Sequence, residues 1–156
     1  MLGSAAYRDH YTSLWSPEGL ARYLEAEFAP ARVAAELAGD AVRYLLALDD
    51  DGRAIGFAKM RPRAPLPVAD EHGLELQKIY FRADAVGCGH GARLLDAVVA
   101  AARADGEPLV WLDVLRSNEA AARFYARHGF VRRGQVPFAT DLGEIGMWVM
   151  SRATAK

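Results

Sequence analysis

A mixed α/β sandwich, one central sheet covered by helices, is the fold class this sequence predicts, and three observations carry it. Apolar residues recur at helical spacing up to about residue 38, then switch to strand-length runs at 42–48 and 54–60. Asp51-Gly52 closes the short acidic stretch between those runs, a strong hairpin signal. Beyond residue 74, strand-like and helix-like segments alternate, which gives a strand-helix-strand-helix centre.

Ser16-Pro17-Glu18 opens the first helix. Ser16 caps free N–H groups, Pro17 suits the first helical position and Glu18 suits the positive end. Leu20, Tyr23, Leu24 and Phe28 then recur at helical spacing, and a second short helix over about 31–38 ends at Gly39. After the hairpin, residues 61–70 hold Pro62, Pro65 and Pro67 and read as a loop. Residues 74–81 form a strand whose simple alternation puts Leu74, Leu76, Lys78 and Tyr80 on one face. Glu75, Gln77, Ile79 and Phe81 fall on the other. An alanine-rich helix runs from the turn at Gly87–Gly91 to about Ala104, and the nearly all-apolar run 109–114 suits a strand covered on both faces. Residues 118–128 are helical, Gly129 is a left-handed stop, and strands near 130–135 and 143–151 finish the chain.

The 156 residues carry no internal repeat, low-complexity tract or linker, so a single domain over 1–156 is expected. Nineteen basic against twenty acidic residues give a formal charge of −1, which leaves no basic field to attract nucleic acid or an anionic membrane. Cys88 is the one cysteine, so no internal disulfide can form and a reducing compartment is expected. No signal peptide and no membrane-length apolar run is read, and a cytoplasmic location follows as an expectation. His10 and His128 have no Cys or His at ligand spacing, so no metal site is expected.

Two segments carry chemistry. Val86-Gly87-Cys88-Gly89-His90-Gly91-Ala92 lies between a strand and a helix. Glycines at alternate positions admit a ligand close to backbone and tolerate positive φ, and the free N–H groups of the helix start attract an anion such as phosphate. The spacing is neither the dinucleotide fingerprint nor a P-loop, and taken alone the segment could be a flexible connection. The second segment, Asn118 to Phe130, sets Ala121, Phe124 and Tyr125 on one side of a helix, a core-facing stripe with Asn118 as its N-cap when seen in isolation.

Together the two segments resemble the GNAT family of N-acetyltransferases. Residues 86–91 stand where the family's coenzyme A loop, Arg/Gln-x-x-Gly-x-Gly/Ala, is found. The pattern Asn-x-x-Ala-x-x-Phe-Tyr-x-x-x-Gly-Phe is met by Asn118, Ala121, Phe124, Tyr125, Gly129 and Phe130. The resemblance covers about residues 12–150 and implies a mostly antiparallel, splayed sheet with helices on both faces. It implies acetyl-CoA as cosubstrate, held by backbone of Ile79, Tyr80, Phe81, Gly87, Cys88, Gly89, His90, Gly91 and Ala92 and by Asn118. It also implies direct acetyl transfer through a tetrahedral intermediate, with Tyr125 protonating the leaving thiolate and Glu75 in the position where several members carry the base. A protonated amine, of pKa about 10, must lose its proton before it attacks, which is why a base or a water chain is needed.

The chain departs from the family in two places. Val86 replaces the usual Arg or Gln, and Arg82 or Arg93 is a candidate to compensate. The region matching 7–24 falls inside what is normally the family's leading helix, so the first edge strand is expected to be missing. That leaves the strand at 42–48 as an open edge, which a homodimer could cover. Cys88 reads as an incidental small residue of the loop, and Asp113 as a carboxylate that satisfies neighbouring backbone in preference to lining the acceptor cleft.

The segments that frame the acceptor in this family supply Tyr11, Trp15, Glu18, Tyr23, Glu25, Glu27, Phe138, Asp141 and Glu144 here. Aromatics with acids suit a small cationic amine. The run from Leu76 to Phe81 and the run Trp111-Leu112-Asp113-Val114 resemble the bacterial polyamine (spermidine/spermine) branch. A protein or peptide amine as acceptor, an aminoglycoside, and a non-catalytic acyl-CoA-binding domain stay open beside it.

Overall fold

The structure is a computed structural model that describes residues 14–155. Helix α1 (Pro17–Phe28) starts as its sequence dictates: Ser16 Oγ accepts the Gly19 N–H at 3.0 Å and proline fills the first turn. Helix α2 (Pro30–Ala38) follows after one residue. The sheet is built from β1 (Arg43–Leu48), β2 (Ala54–Pro65), β3 (His72–Phe81), β4 (Leu109–Leu115), β5 (Val131–Thr140) and β6 (Gly143–Ala153). Helices α3 (His90–Ala104) and α4 (Glu119–Arg127) connect β3 to β4 and β4 to β5. The strand order is β1-β2-β3-β4-β6-β5, antiparallel throughout except for the parallel pair β3/β4.

Adjacent residues of β2 point to opposite faces and so assign the layers. Ala58 packs with Leu95, Val98 and Val110 under α3, while Phe57 packs with Leu20, Leu24 and Phe28 of α1. Helices therefore cover both faces, as the resemblance implies. Leu109 and Trp111 alternate with Val110 and Leu112 along β4 and join Ala64, Leu66 and Val149 in a third cluster, on the α1 side.

Three expectations are corrected. Residues 61–65 are not loop: β2 continues through Pro65, because Pro62 and Arg63 sit in a bulge where a missing ladder N–H costs nothing. Arg63 takes φ 51° there, and the buried Glu107 carboxylate accepts its N–H at 2.9 Å. The simple alternation of 74–81 also fails. Lys59 faces Lys78 but Met60 faces Leu76, so Gln77 is an extra residue that reverses the alternation. Leu74 and Leu76 consequently share the α3 face with Ile79 and Phe81, while Lys78 and Tyr80 turn toward α1. The last strands are longer than expected, with β5 reaching Thr140 and β6 reaching Ala153. Among the described residues β1 is an edge strand, and the expected missing strand concerns positions outside them.

The parallel pair is short. β3 and β4 are matched only at Leu74↔Val110 and Glu75↔Trp111, after which β3 stays with β2 and β4 stays with β6. The bulge at Gln77 begins this divergence, and the two strands open into a V that the helices do not fill.

Candidate active site

The V holds two adjoining hollows that share Leu14, Ile79, Tyr80, Leu115, Ala121 and Tyr125. The outer one continues to Phe81, Val86, Ser117 and Asn118, next to the glycine-rich turn. The inner one continues to Tyr23, Gln77, Lys78, Asp113, Phe138 and Met147, on the α1 side. Tyr125 stands at their junction. It is 8% exposed, and its ring meets Phe124 and Phe130 edge-on at 5.4 and 5.7 Å.

The glycine turn is shaped for a close-lying anion. Gly87 and Gly89 have φ of 87° and 78°, values that a side chain resists, and Gly89 is the N-cap of α3. The first N–H groups of that helix have no intrahelical acceptor, so His90, Gly91 and Ala92 present donors and the positive end of the dipole. The His90 ring stacks on Phe81 at 6.2 Å, which braces the turn against the end of β3. Val86 is 56% exposed beside this turn. Arg82 faces Asp84 at 3.4 Å and Arg93 is exposed. The Asn118 side chain accepts the Ala121 N–H at 3.2 Å and so caps α4 at the outer hollow's edge.

Glu75 does not line either hollow. Its Oε2 lies 2.8 Å from Arg61 Nε, off the hydrogen-bond axis, and accepts from Gln77 Nε2 at 3.1 Å. Asp113 is the carboxylate that lines the inner hollow, and it also accepts a hydrogen bond from its own backbone, so both readings weighed for it have support. Its side chain is open to the cleft yet closely walled by protein. Burial, then the nearby negative charge of Glu75, push its pKa up to about 6. The signal available in the sequence was a single charge in the otherwise apolar run 109–114.

Sequence reasoning also missed Lys78 as part of this wall. It is 8% exposed, ion-paired with Glu27 and 4.8 Å above the Phe28 ring. Burial pushes its pKa down, partly offset by the Glu27 carboxylate. Of the framing acids, Glu27 is thus paired with Lys78 and with Arg32, and Asp141 bonds Ser16. Glu18, Glu25 and Glu144 are exposed outside the cleft, and Tyr11 lies outside the described residues. Trp15 packs on Tyr23 at 4.9 Å and edge-on to Phe138 at 6.3 Å, so these aromatics form one cluster beside the acceptor side. His72 is exposed at the start of β3, away from both hollows. No group of metal-ligating side chains occurs among the described residues.

A splayed parallel pair, a glycine-rich turn at a helix start and a tyrosine at the junction of two hollows are the features of an acyl-CoA-dependent transferase. The sequence model of the Acetyltransferase (GNAT) family matches residues 5–130, and the chain belongs to that family. It is 34% identical over 137 residues to an uncharacterized N-acetyltransferase of Mycobacterium tuberculosis, covering 88% of this chain and 83% of that protein. An uncharacterized N-acetyltransferase of Lactobacillus delbrueckii subsp. lactis is 30% identical over 75% of this chain and 68% of its own. In fold, the chain is similar to the PaiA N-acetyltransferase of Thermoplasma acidophilum in complex with coenzyme A. The TM-score is 0.75 at 18% identity, over 97% of this chain and 88% of that one. The spermidine/spermine N-acetyltransferase SpeG of Vibrio cholerae gives a TM-score of 0.64 at 16% identity, over 78% and 70%. The protein is an acetyl-CoA-dependent N-acetyltransferase. No helix among the described residues is long and apolar enough to cross a membrane.

Proposed function

We propose that the chain transfers acetyl from acetyl-CoA to a small cationic primary amine, with Tyr125 as proton donor to the departing thiolate. The observation that carries this reading is the placing of Tyr125 at the junction of the two hollows, between the glycine turn's side and the Asp113 side. The pyrophosphate rests on the N–H groups of residues 87–92, and the pantetheine arm lies in the outer hollow past Phe81 and Asn118. The oxyanion takes an N–H from Ile79, Tyr80 or Phe81, where β3 has left β4. Asp113 meets the incoming ammonium, and Glu75 behind it is the base, receiving the proton through water beside the carboxylate pair. The strand resemblance supports polyamines as one candidate among small cationic amines, and a protein or peptide amine is the alternative acceptor. The enzyme acts in the cytoplasm, and a second copy covers the open edge of β1, where Leu46 and Leu48 are 62% and 55% exposed.

Thiol release at saturating acetyl-CoA tests the roles. Tyr125→Phe should lower kcat by about 10²-fold or more with little change in acetyl-CoA affinity. Glu75→Gln should flatten the acidic limb of the pH–rate profile. Unchanged turnover in Tyr125→Phe would remove the assignment of the proton donor.

A further inference from the structure

Charge accounting in the inner hollow narrows the acceptor, on the premise that the hollow is where the amine sits. Two of its lining residues, among those described, are charged: Lys78 and Asp113. The Lys78 ammonium is ion-paired with Glu27 and lies over the Phe28 ring, so that pair is neutral within the wall. Glu27 also faces Arg32 at 3.2 Å, so its charge is already compensated within the wall. Glu75 is matched by Arg61 at 2.8 Å. Asp113 has no ion pair with any described residue. Among the described residues the hollow therefore offers one uncompensated carboxylate.

Apart from Gln77, whose Nε2 donates to Glu75, the remaining described side chains of the wall are apolar or aromatic. Tyr23 and Phe138 enter from α1 and β5, with Trp15 packed against both, and Leu14, Leu112 and Met147 complete the surface. A ligand that carries one ammonium and an apolar body meets this surface everywhere with a partner. A polyamine does not: once its first ammonium reaches Asp113, the others find no second free carboxylate among the described residues, only rings, methyl groups, the Gln77 amide and the positive end of Lys78. What an ammonium gains over an aromatic face is less than what its desolvation costs.

We infer that the acceptor is a monocationic amine with an aromatic or branched apolar body, its ammonium held by Asp113 and its body packed against Tyr23 and Phe138. This deepens the N-acetyltransferase reading and rests on it. The polyamine resemblance of the strand sequences does not extend to the charge pattern of this cleft among the described residues, where the framing acids are paired, bonded to Ser16 or absent from the lining.

The test is thiol release from acetyl-CoA by the full chain with phenethylamine, tyramine, hexylamine, spermidine, a lysine peptide and kanamycin, alongside calorimetric titration with acetyl-CoA. The arylalkylamines should exceed spermidine in kcat/KM by about tenfold or more, the equivalent of one missing ion-pair partner. Asp113→Asn should raise the KM for the arylalkylamines by about the same factor and leave acetyl-CoA affinity unchanged. Tyr23→Ala should erode the preference for phenethylamine over hexylamine, a ratio that a general loss of stability does not move. A preference for spermidine or kanamycin, or an acceptor ranking indifferent to Asp113→Asn, overturns the acceptor class and leaves the acetyltransferase reading standing. Bound acetyl-CoA with no thiol release for any amine sinks both.

Discussion

Asp113 has a cost that the fold bears for the site. Its pKa in the folded chain is about 6, raised by burial and by Glu75, against about 3.9 in an unfolded chain. Between those values the native state binds more protons than the unfolded one, so this carboxyl makes stability fall as pH rises from about 4 to about 6. Above that window the penalty is constant. Asp113→Asn should therefore be more stable than the parent at pH 7, and the gap should shrink toward pH 4. Urea midpoints at the two pH values check this, and a gap of unchanged size would show that Asp113 is not strained in the fold. Binding moves the opposite way, since an ammonium needs the carboxylate: the amine KM should climb as pH drops through about 6. At this scale the sequence was partly legible. The N-cap at Asn118 and the inward face of Tyr125 were readable because spacing on one helix is local, while their site roles were implied by the family resemblance alone. Asp113 and Lys78 were not readable, because their positions depend on a strand divergence that no local spacing encodes.

Between elements, the hairpin of β5 and β6 is clasped to the start of α1. Asp141, at the hairpin tip, accepts from the Ser16 N–H at 3.2 Å and from the Ser16 hydroxyl. Gly19 makes room for it, since a Cβ there would stand 2.2 Å from the Asp141 carboxylate. The same contact zone carries the Trp15–Phe138 packing, so the clasp also sets the aromatic wall of the inner hollow. In an ordinary helix Gly→Ala stabilises by about 1 kcal/mol. Gly19→Ala should instead destabilise and raise the amine KM, and in an Asp141→Ala background the same change should become stabilising. A double-mutant cycle on melting temperature and KM reads that reversal, and a stabilising Gly19→Ala in the parent would mean the clasp is not formed. Helix starts and strand existence were legible from caps, period and glycines. The extension of β2 through two prolines and the reversal at Gln77 were not, because a bulge is fixed by the partner strand's register.

Across the whole molecule, the layer of α1 and α2 is tied to the sheet by buried charge as well as by Leu20, Leu24 and Phe28. Glu36 of α2 accepts from Lys59 Nζ of β2 at 2.8 Å, from the Tyr44 hydroxyl of β1 at 2.5 Å and from Arg32 Nε at 3.2 Å. Lys59 is 3% exposed, so its ammonium depends on that carboxylate. Partial burial alone would push the Glu36 pKa up, but the Lys59, Tyr44 and Arg32 hydrogen bonds more than offset it and hold the pKa at about 2. The adjacent Glu27–Lys78 pair repeats the arrangement between α1 and β3 and forms one wall of the acceptor hollow. A depressed carboxylate pKa stabilises the fold above its unfolded value, and that contribution fades as pH falls from about 4.5 toward about 2. Glu36→Gln should cost about 3 kcal/mol at pH 7, because it leaves the buried Lys59 ammonium without a counter-charge. The difference between parent and variant should narrow by pH 3, where the parent's Glu36 begins to lose its advantage. Urea unfolding at pH 7 and pH 3 measures both values. Equal stability at pH 7 would mean that the Glu36–Lys59 contact contributes nothing to holding the helical layer over the acceptor side.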